Sequence, residues 1–385
     1  AAEAREFTGD IENFGPLDKL MQRTIKKGLK VMCREIQMGV AAAQNALYES
    51  GLDVSKRNPE RTGVTFGSDY ITTMPIDFAD AMLACRDASG QFNWPIWGGT
   101  GLPKIDPLWL LKYLPNMPAS HVAIYNDLRG PSNSITLREA SGNLTLAEAY
   151  CNIRRDVADA IVAGATGSRV HPIRTLHVVL QEETIRGAVE PLAASRPFES
   201  KRDGMVLGEG AAALILEDLS HAQARGAKIY AEIIGHGAAM CASANGEVRS
   251  GEAVAIAARK AIASAGLTPD QIGHVNSHGL STRRGDRDEA QALKQVFGER
   301  PVPVVAAKSN FGNLGAGGGV VELVASIMAL SNGHLFPTLN YESPDPECPI
   351  AVTRSTDIPS GDTALNLSYT PQGQASALIV RSYTG

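Results

Sequence analysis

Apolar residues recur at three- and four-residue spacing through Leu29, Met32, Ile36, Val40, Ala43 and Leu47. That spacing predicts one amphipathic helix over 25–50, closed by Gly51 as a C-terminal cap. A polar turn over 53–61 follows, and 62–67 (TGVTFG) reads as a strand. The same order returns later: an apolar-periodic helix over 253–265, Gly266 as cap, a Thr268-Pro269-Asp270 turn, and a strand over 272–277. Aligning 42–52 (AAQNALYESGL) with 257–267 (AARKAIASAGL) suggests an internal duplication. Further strands are predicted over 156–164, 211–217 and 228–235, with a seam between halves near 220–227. The long stretch 77–118, with its prolines and tryptophans, reads as an excursion over the surface, a place where binding or dimer contacts concentrate.

Between the copies lies Gly130-Pro131-Ser132-Asn133-Ser134-Ile135-Thr136-Leu137-Arg138-Glu139-Ala140-Ser141-Gly142-Asn143. A β-branched run breaks here into a helix over 144–155, with small residues at the break. This is the build of a nucleophile elbow, which presents one side chain at the N-terminus of a buried helix.

Composition narrows the class. The chain has 385 residues, 44% hydrophobic and 20% charged, enough for a large core. A net charge of -5 argues against nucleic acid and anionic membrane as partners. No apolar run reaches the roughly 20 residues of a membrane span, and no signal-peptide pattern is visible. Cys33, Cys85, Cys151, Cys241 and Cys348 are scattered, which suits buried thiols in a reducing cytoplasm. The eight histidines make no ligand spacing with cysteine or carboxylate, so no metal is expected.

Several stretches, in order, resemble the β-ketoacyl synthases (ketosynthases). They are the elbow; Ser195-Arg196-Pro197-Phe198 with Arg202-Asp203-Gly204 and Leu207-Gly208-Glu209-Gly210-Ala211; Asn276-Ser277-His278-Gly279; Lys308-Ser309-Asn310-Phe311-Gly312-Asn313; and Phe336-Pro337-Thr338-Leu339-Asn340. The resemblance covers nearly the whole chain. It implies the thiolase-like α/β fold, with two pseudo-symmetric halves in a five-layer αβαβα arrangement, here divided as 1–224 and 225–385. The family's opening strand and helix are expected ahead of residue 1 and are not visible. No cofactor is implied. The implied partners are an acyl carrier protein and a second subunit, either in a homodimer or in a heterodimer with an active ketosynthase.

Family chemistry is decarboxylative condensation. It uses a cysteine to hold the acyl chain, two histidines to stabilise the enolate, and backbone N–H groups as an oxyanion hole. At the elbow, Glu139 stands where the cysteine is expected. It cannot form a stable thioester, and its charge would repel a malonyl carboxylate. His278 keeps the first histidine position and is expected to donate a hydrogen bond or to pair with Glu139. Asn313 stands at the second histidine position, and an amide can still donate to an enolate. Lys308 and Glu322 hold the family's lysine and glutamate positions and read as a structural ion pair. In the late loop Ser368-Tyr369-Thr370-Pro371-Gln372-Gly373, only Gly373 remains of a glycine-rich run, and Pro371 has no N–H to offer. Ala165-Thr166-Gly167 departs where the family has Gly and Glu. Cys151 is twelve positions beyond Glu139, about 18 Å along a helix, and cannot replace the nucleophile. Ser141 is nearer but has no base placed by the sequence.

These features fit two readings. One is a non-condensing subunit resembling a chain-length factor, although those carry Gln more often than Glu at the elbow. The other is an enzyme on acyl- or malonyl-carrier-protein substrates: a decarboxylase or hydrolase using Glu139 and His278, or a condensing enzyme of unusual mechanism.

Overall fold

The computed structural model describes every residue of 1–385 except Asp53, Val54, Lys56, Ala188 and Val189. The predicted turn over 53–61 therefore falls partly outside the described residues.

Among the described residues ten strands form two sheets. β1 (Thr62–Ser68), β2 (Ser132–Thr136), β3 (Ala160–Ser168) and β4 (Glu209–Glu217) make the first, in the order β2-β1-β3-β4. The second contains β5 (Ala231–Met240), β6 (His274–Asn276), β7 (Pro303–Val305), β8 (Ala351–Val352), β9 (Thr363–Tyr369) and β10 (Gln374–Ser382), in the order β5-β10-β9-β6-β7-β8. Both are mixed. β1 runs parallel to β2 and β3, and β6 parallel to β7 and β9, while β4 and β10 run antiparallel to β3 and β9.

Helices complete five layers. Arg34–Ser50 and Met117–Asn126 cover the outer face of the first sheet, and Ser250–Ser264 covers that of the second, with Arg283–Phe297 packed on it. Ser141–Arg154 and Gly318–Asn332 form the central layer between the sheets. The stretch Gly315–Asn332 has a mean hydropathy of 1.2 over 18 residues, high enough for a membrane span by composition, but it lies largely buried in this layer. The two central helices meet through glycines: a Cβ on Gly142 would stand 3.1 Å from the Gly319 Cα. Asn366 on β9 donates to Asn143 Oδ1 at 2.7 Å and so ties the second sheet to a central helix.

The sequence reading of one helix over 25–50 is corrected. Lys19–Gly28 is a separate helix, Leu29–Val31 a 3-10 turn, and Met32 and Cys33 are extended before Arg34. Gly28 ends the first helix under Tyr125, where a Cβ would fall 1.9 Å from the tyrosine hydroxyl. Gly51 is the left-handed cap expected, at φ 64°. The predicted strands exist, but β3 and β5 are displaced along the chain: they begin four and three residues later than expected and end four and five residues later. Over 77–118 the chain makes the helix Ile76–Ala84 and several short turns.

Gly167 on β3 is pressed against the loop ahead of the central helix. A Cβ would lie 2.1 Å from Leu314 O and 2.9 Å from Ala316 N. Gly167→Ala is therefore expected to destabilise by about 3 kcal/mol, as overpacking against backbone does. Gly51→Ala, with open space but a positive φ, should cost only about 1 kcal/mol. Urea melts of the two variants check the contrast.

Candidate active site

The elbow is built as its sequence demands. β2 ends at Thr136, a single 3-10 turn spans Arg138–Ala140, and the central helix begins at Ser141, three residues earlier than its apolar pattern showed. Ser141 Oγ accepts from Leu137 N at 2.8 Å and fastens the turn. Arg138 adopts φ 49°, a left-handed conformation that a residue other than glycine rarely takes without support. It turns its guanidinium beside Glu139 and lets the Glu139 side chain point inward, where it is 1% exposed.

Arg169 is the partner that motif reasoning missed. It follows β3 directly, is 0% exposed, and its Nη2 donates to Glu139 Oε1 at 2.5 Å. Arg138 Nη2 reaches the same oxygen at 3.4 Å, and Asn313 Nδ2 donates to it at 3.1 Å. Burial works to raise the Glu139 pKa, but Arg169 and then Arg138 outweigh it and hold the carboxyl well below its usual range. Glu139 is therefore a fixed anion. The one available signal was a charge excess: an arginine directly after an apolar strand, in a frame that gains a carboxylate elsewhere.

The charges continue inward. Arg169 also pairs with Asp69 at 3.2 Å, and Arg174 joins Asp69 to Glu35 at 3.7 and 3.2 Å. On the solvent side Arg138 bonds Glu182 Oε1 at 2.6 Å and Gln372 Oε1 at 3.3 Å. Three guanidinium groups thus face four carboxyl groups. Burial, only partly opposed by Arg174, raises the Glu35 pKa to about 7.

His278 and Lys308 share the site but are joined to each other rather than to Glu139. Lys308 Nζ donates to His278 Nδ1 at 3.0 Å and pairs with Glu322. The expected ion pair of Lys308 and Glu322 is present. The expected bond between His278 and Glu139 is not found among the described residues, because arginines and Asn313 already surround the carboxylate. Burial first, and then Lys308, hold the His278 pKa well below its ordinary value. The imidazole is neutral and carries its proton on Nε2, which meets no partner among the described residues. Glu289 takes the His278 and Gly279 N–H groups at 2.7 and 2.9 Å and fixes this loop.

The late loop is closed in two ways. The Tyr369 ring packs on the His278 ring with centroids 4.5 Å apart. Beyond it the chain makes a tight hairpin turn, in which Thr370 N bonds Gln374 O at 2.8 Å and Gly373 N bonds Thr370 O at 3.0 Å. Those two N–H groups are consumed by the turn, and Pro371 has none. Cys151 lies elsewhere, with Sγ 3.5 Å from His236 Nε2. No group of His, Cys, Asp and Glu among the described residues is arranged to hold a metal.

Two α/β halves, a buried elbow between them, and a His-Lys-Glu set from the second half define a thiolase-like condensing-enzyme frame. The sequence agrees. Residues 2–222 match the Beta-ketoacyl synthase N-terminal domain and residues 230–342 the C-terminal domain, so the chain belongs to the beta-ketoacyl synthase family. It is 35% identical over 326 residues to a 3-oxoacyl-(acyl-carrier-protein) synthase 2 of Vibrio cholerae, covering 83% of this chain and 75% of the relative. Among solved structures it resembles a beta-ketoacyl synthase from Burkholderia phymatum, at TM-score 0.82 and 30% identity over 93% of this chain and 85% of that one. It also resembles the ishigamide ketosynthase/chain length factor, at TM-score 0.78 and 26% identity over 92% and 84%.

Two predictions follow from the charges. Glu139→Ala takes one of the two contact anions from each of Arg169 and Arg138 in a dry site and should cost about 3 kcal/mol. Glu139→Ala combined with Arg169→Met should cost less than Glu139→Ala alone, since the under-paired charge goes with its partner; urea denaturation measures both. For Glu35 the folded pKa is raised, so its contribution is full below its ordinary value near 4.5 and is lost as pH rises through about 7. Thermal stability should fall between pH 5 and 8, and Glu35→Gln should flatten that fall.

Proposed function

We propose that this chain is a non-condensing subunit of the ketosynthase family, resembling a chain-length factor. It pairs with a cysteine-bearing ketosynthase and works on carrier-bound acyl chains in cytoplasmic fatty acid or polyketide assembly. The observation that carries this reading is Glu139: a buried, permanent anion at the elbow whose oxygen is already committed to Arg169, Arg138 and Asn313. Such a group cannot hold an acyl chain as a stable thioester, and it repels the carboxylate that must leave as carbon dioxide. Asn313 is used as a ligand of Glu139 rather than kept free for an enolate. Tyr369 fills space beside His278, and the hairpin turn has spent its donors. A partner subunit is supported by apolar side chains exposed along the 77–118 excursion, among them Leu83, Trp94, Leu102 and Leu108.

One observation favours the enzymatic reading. His278 Nε2 is a buried donor with no partner among the described residues, and a substrate carbonyl could take it. In this second reading the chain decarboxylates or hydrolyses an acyl thioester without a covalent intermediate.

Intact-mass analysis after incubation with an acyl thioester, or with a cerulenin-like probe, should find Glu139 unmodified. Stoichiometric acylation there ends the first reading. Co-expression with a cysteine-bearing ketosynthase from the same gene neighbourhood should give a stable heterodimer. A self-contained homodimer with turnover favours the enzyme instead. Glu139→Cys alone should not restore condensation to more than about one hundredth of the partner's rate, since the arginines, Asn313 and Tyr369 remain.

A further inference from the structure

The charged residues that begin at Glu139 end at a second cavity. There Glu35 and Arg174 line a space of about 250 Å³ beside the helix Pro172–Gln181. Asp69 and Arg169, both 0% exposed, stand between this cavity and Glu139, so the two sites are joined by ion pairs.

Some polar groups around the cavity are committed. Glu209 accepts from Arg34 Nη2 at 2.7 Å, from Ser168 Oγ at 3.0 Å and from Ala4 N at 3.2 Å. Tyr113 donates its hydroxyl to Asp77. Three atoms of lining residues are not committed. Thr72 Oγ1, His171 Nε2 and Arg174 Nε are buried and meet no partner among the described residues. All three can donate. His171 Nδ1 accepts from Ile173 N at 3.2 Å as the cap of the helix, so the ring proton sits on Nε2. Arg174 is 1% exposed, and its Nη1 is held by Ser168 O at 2.8 Å and Glu35 at 3.2 Å, which fixes the guanidinium. Native interiors rarely leave even one such donor unmet. Three around one cavity call for a ligand with acceptor oxygens.

The lining also offers Ile71, Met74 and Val170, an apolar wall for a short tail. Cys33 adds a thiol whose pKa is pushed up to about 12 by burial and then by Glu35, so it packs rather than reacts.

We propose that this cavity binds a short aliphatic carboxylate, its oxygens on Arg174 Nε, His171 Nε2 and Thr72 Oγ1 and its tail against Ile71, Met74 and Val170. The site is independent of the proposed function, which rests on Glu139. Binding takes up a proton. An ionised Glu35 would compete with the ligand for Arg174, so the ligand enters with Glu35 protonated. Facing Glu35 are Arg174 from its helix, Asp69 after β1, Arg169 after β3 and the Cys33 thiol ahead of its own helix. Arg34, Glu209 and the exposed Glu3 carry the other charges around the cavity. His171 stays neutral, because burial and then Arg174 hold its pKa below the ordinary value. With the Glu35 pKa at about 7, affinity should fall about tenfold from pH 6 to pH 8.

Titration calorimetry of the whole chain with sodium butyrate at pH 6 should give a dissociation constant of about 1 mM. Butyramide should bind at least about tenfold more weakly. Thr72→Val removes one donor at nearly constant shape, and His171→Asn keeps a helix cap while withdrawing Nε2. Each should weaken butyrate at least about fivefold. Glu35→Gln should bind butyrate without the pH dependence. The butyramide and pH measurements use the unaltered chain, so they stand even where a variant fails to fold. No binding up to about 50 mM, butyramide binding as well as butyrate, or an affinity that does not change between pH 6 and pH 8 would each overturn the proposal. So would unchanged affinity in both donor variants, which would put butyrate elsewhere on the protein.

Discussion

The site depends on one buried ion pair, Glu139 with Arg169. A carboxylate placed at the elbow without a counter-charge would be driven to neutrality or would not fold there. Arg169 resolves this by reaching across from the end of β3, and its own charge is then shared with Asp69. Asp69 in turn is shared with Arg174, and Arg174 with Glu35. Glu139 is therefore one end of a charged file that runs to the outer helix of the first half, Arg34–Ser50.

Around that file the second half makes a separate arrangement. Lys308 joins His278 to Glu322, and Glu289 holds the backbone of the histidine loop. The inward side of the elbow is organised by charge, while the side facing it carries a neutral imidazole whose Nε2 meets no partner among the described residues. Tyr369 packs on that imidazole and so links the hairpin after β9 to the same side.

Most of the fold was legible in the sequence. Alternation and helical spacing placed the helices and strands, and the repeat of helix, glycine cap, turn and strand exposed the duplication. The break at Met32 and Cys33 was not legible, because the apolar spacing runs through it from Leu29 to Ile36 without interruption. Glu139, His278, Lys308 and Asn313 were read from motifs, and the structure joins Glu139 to Asn313 and His278 to Lys308, connections that the motifs did not show. Pairing Glu139 with His278 looked reasonable on motif grounds alone, but a neutral histidine held by a lysine is a poor partner when two guanidinium groups are in reach. Arg169 went unread because a residue after a buried strand has no periodic signature; only the three-dimensional end of β3 shows where it points.

The elbow also resists change one residue at a time. Replacing Glu139 by cysteine removes the anion and leaves Arg169 buried with Asp69 as its remaining contact anion, so that variant is a less stable protein. Replacing Arg169 first leaves Arg138 as the one cation still in contact with Glu139. Each single exchange is uphill in stability, so the two residues behave as one unit that tolerates joint replacement better than separate replacement.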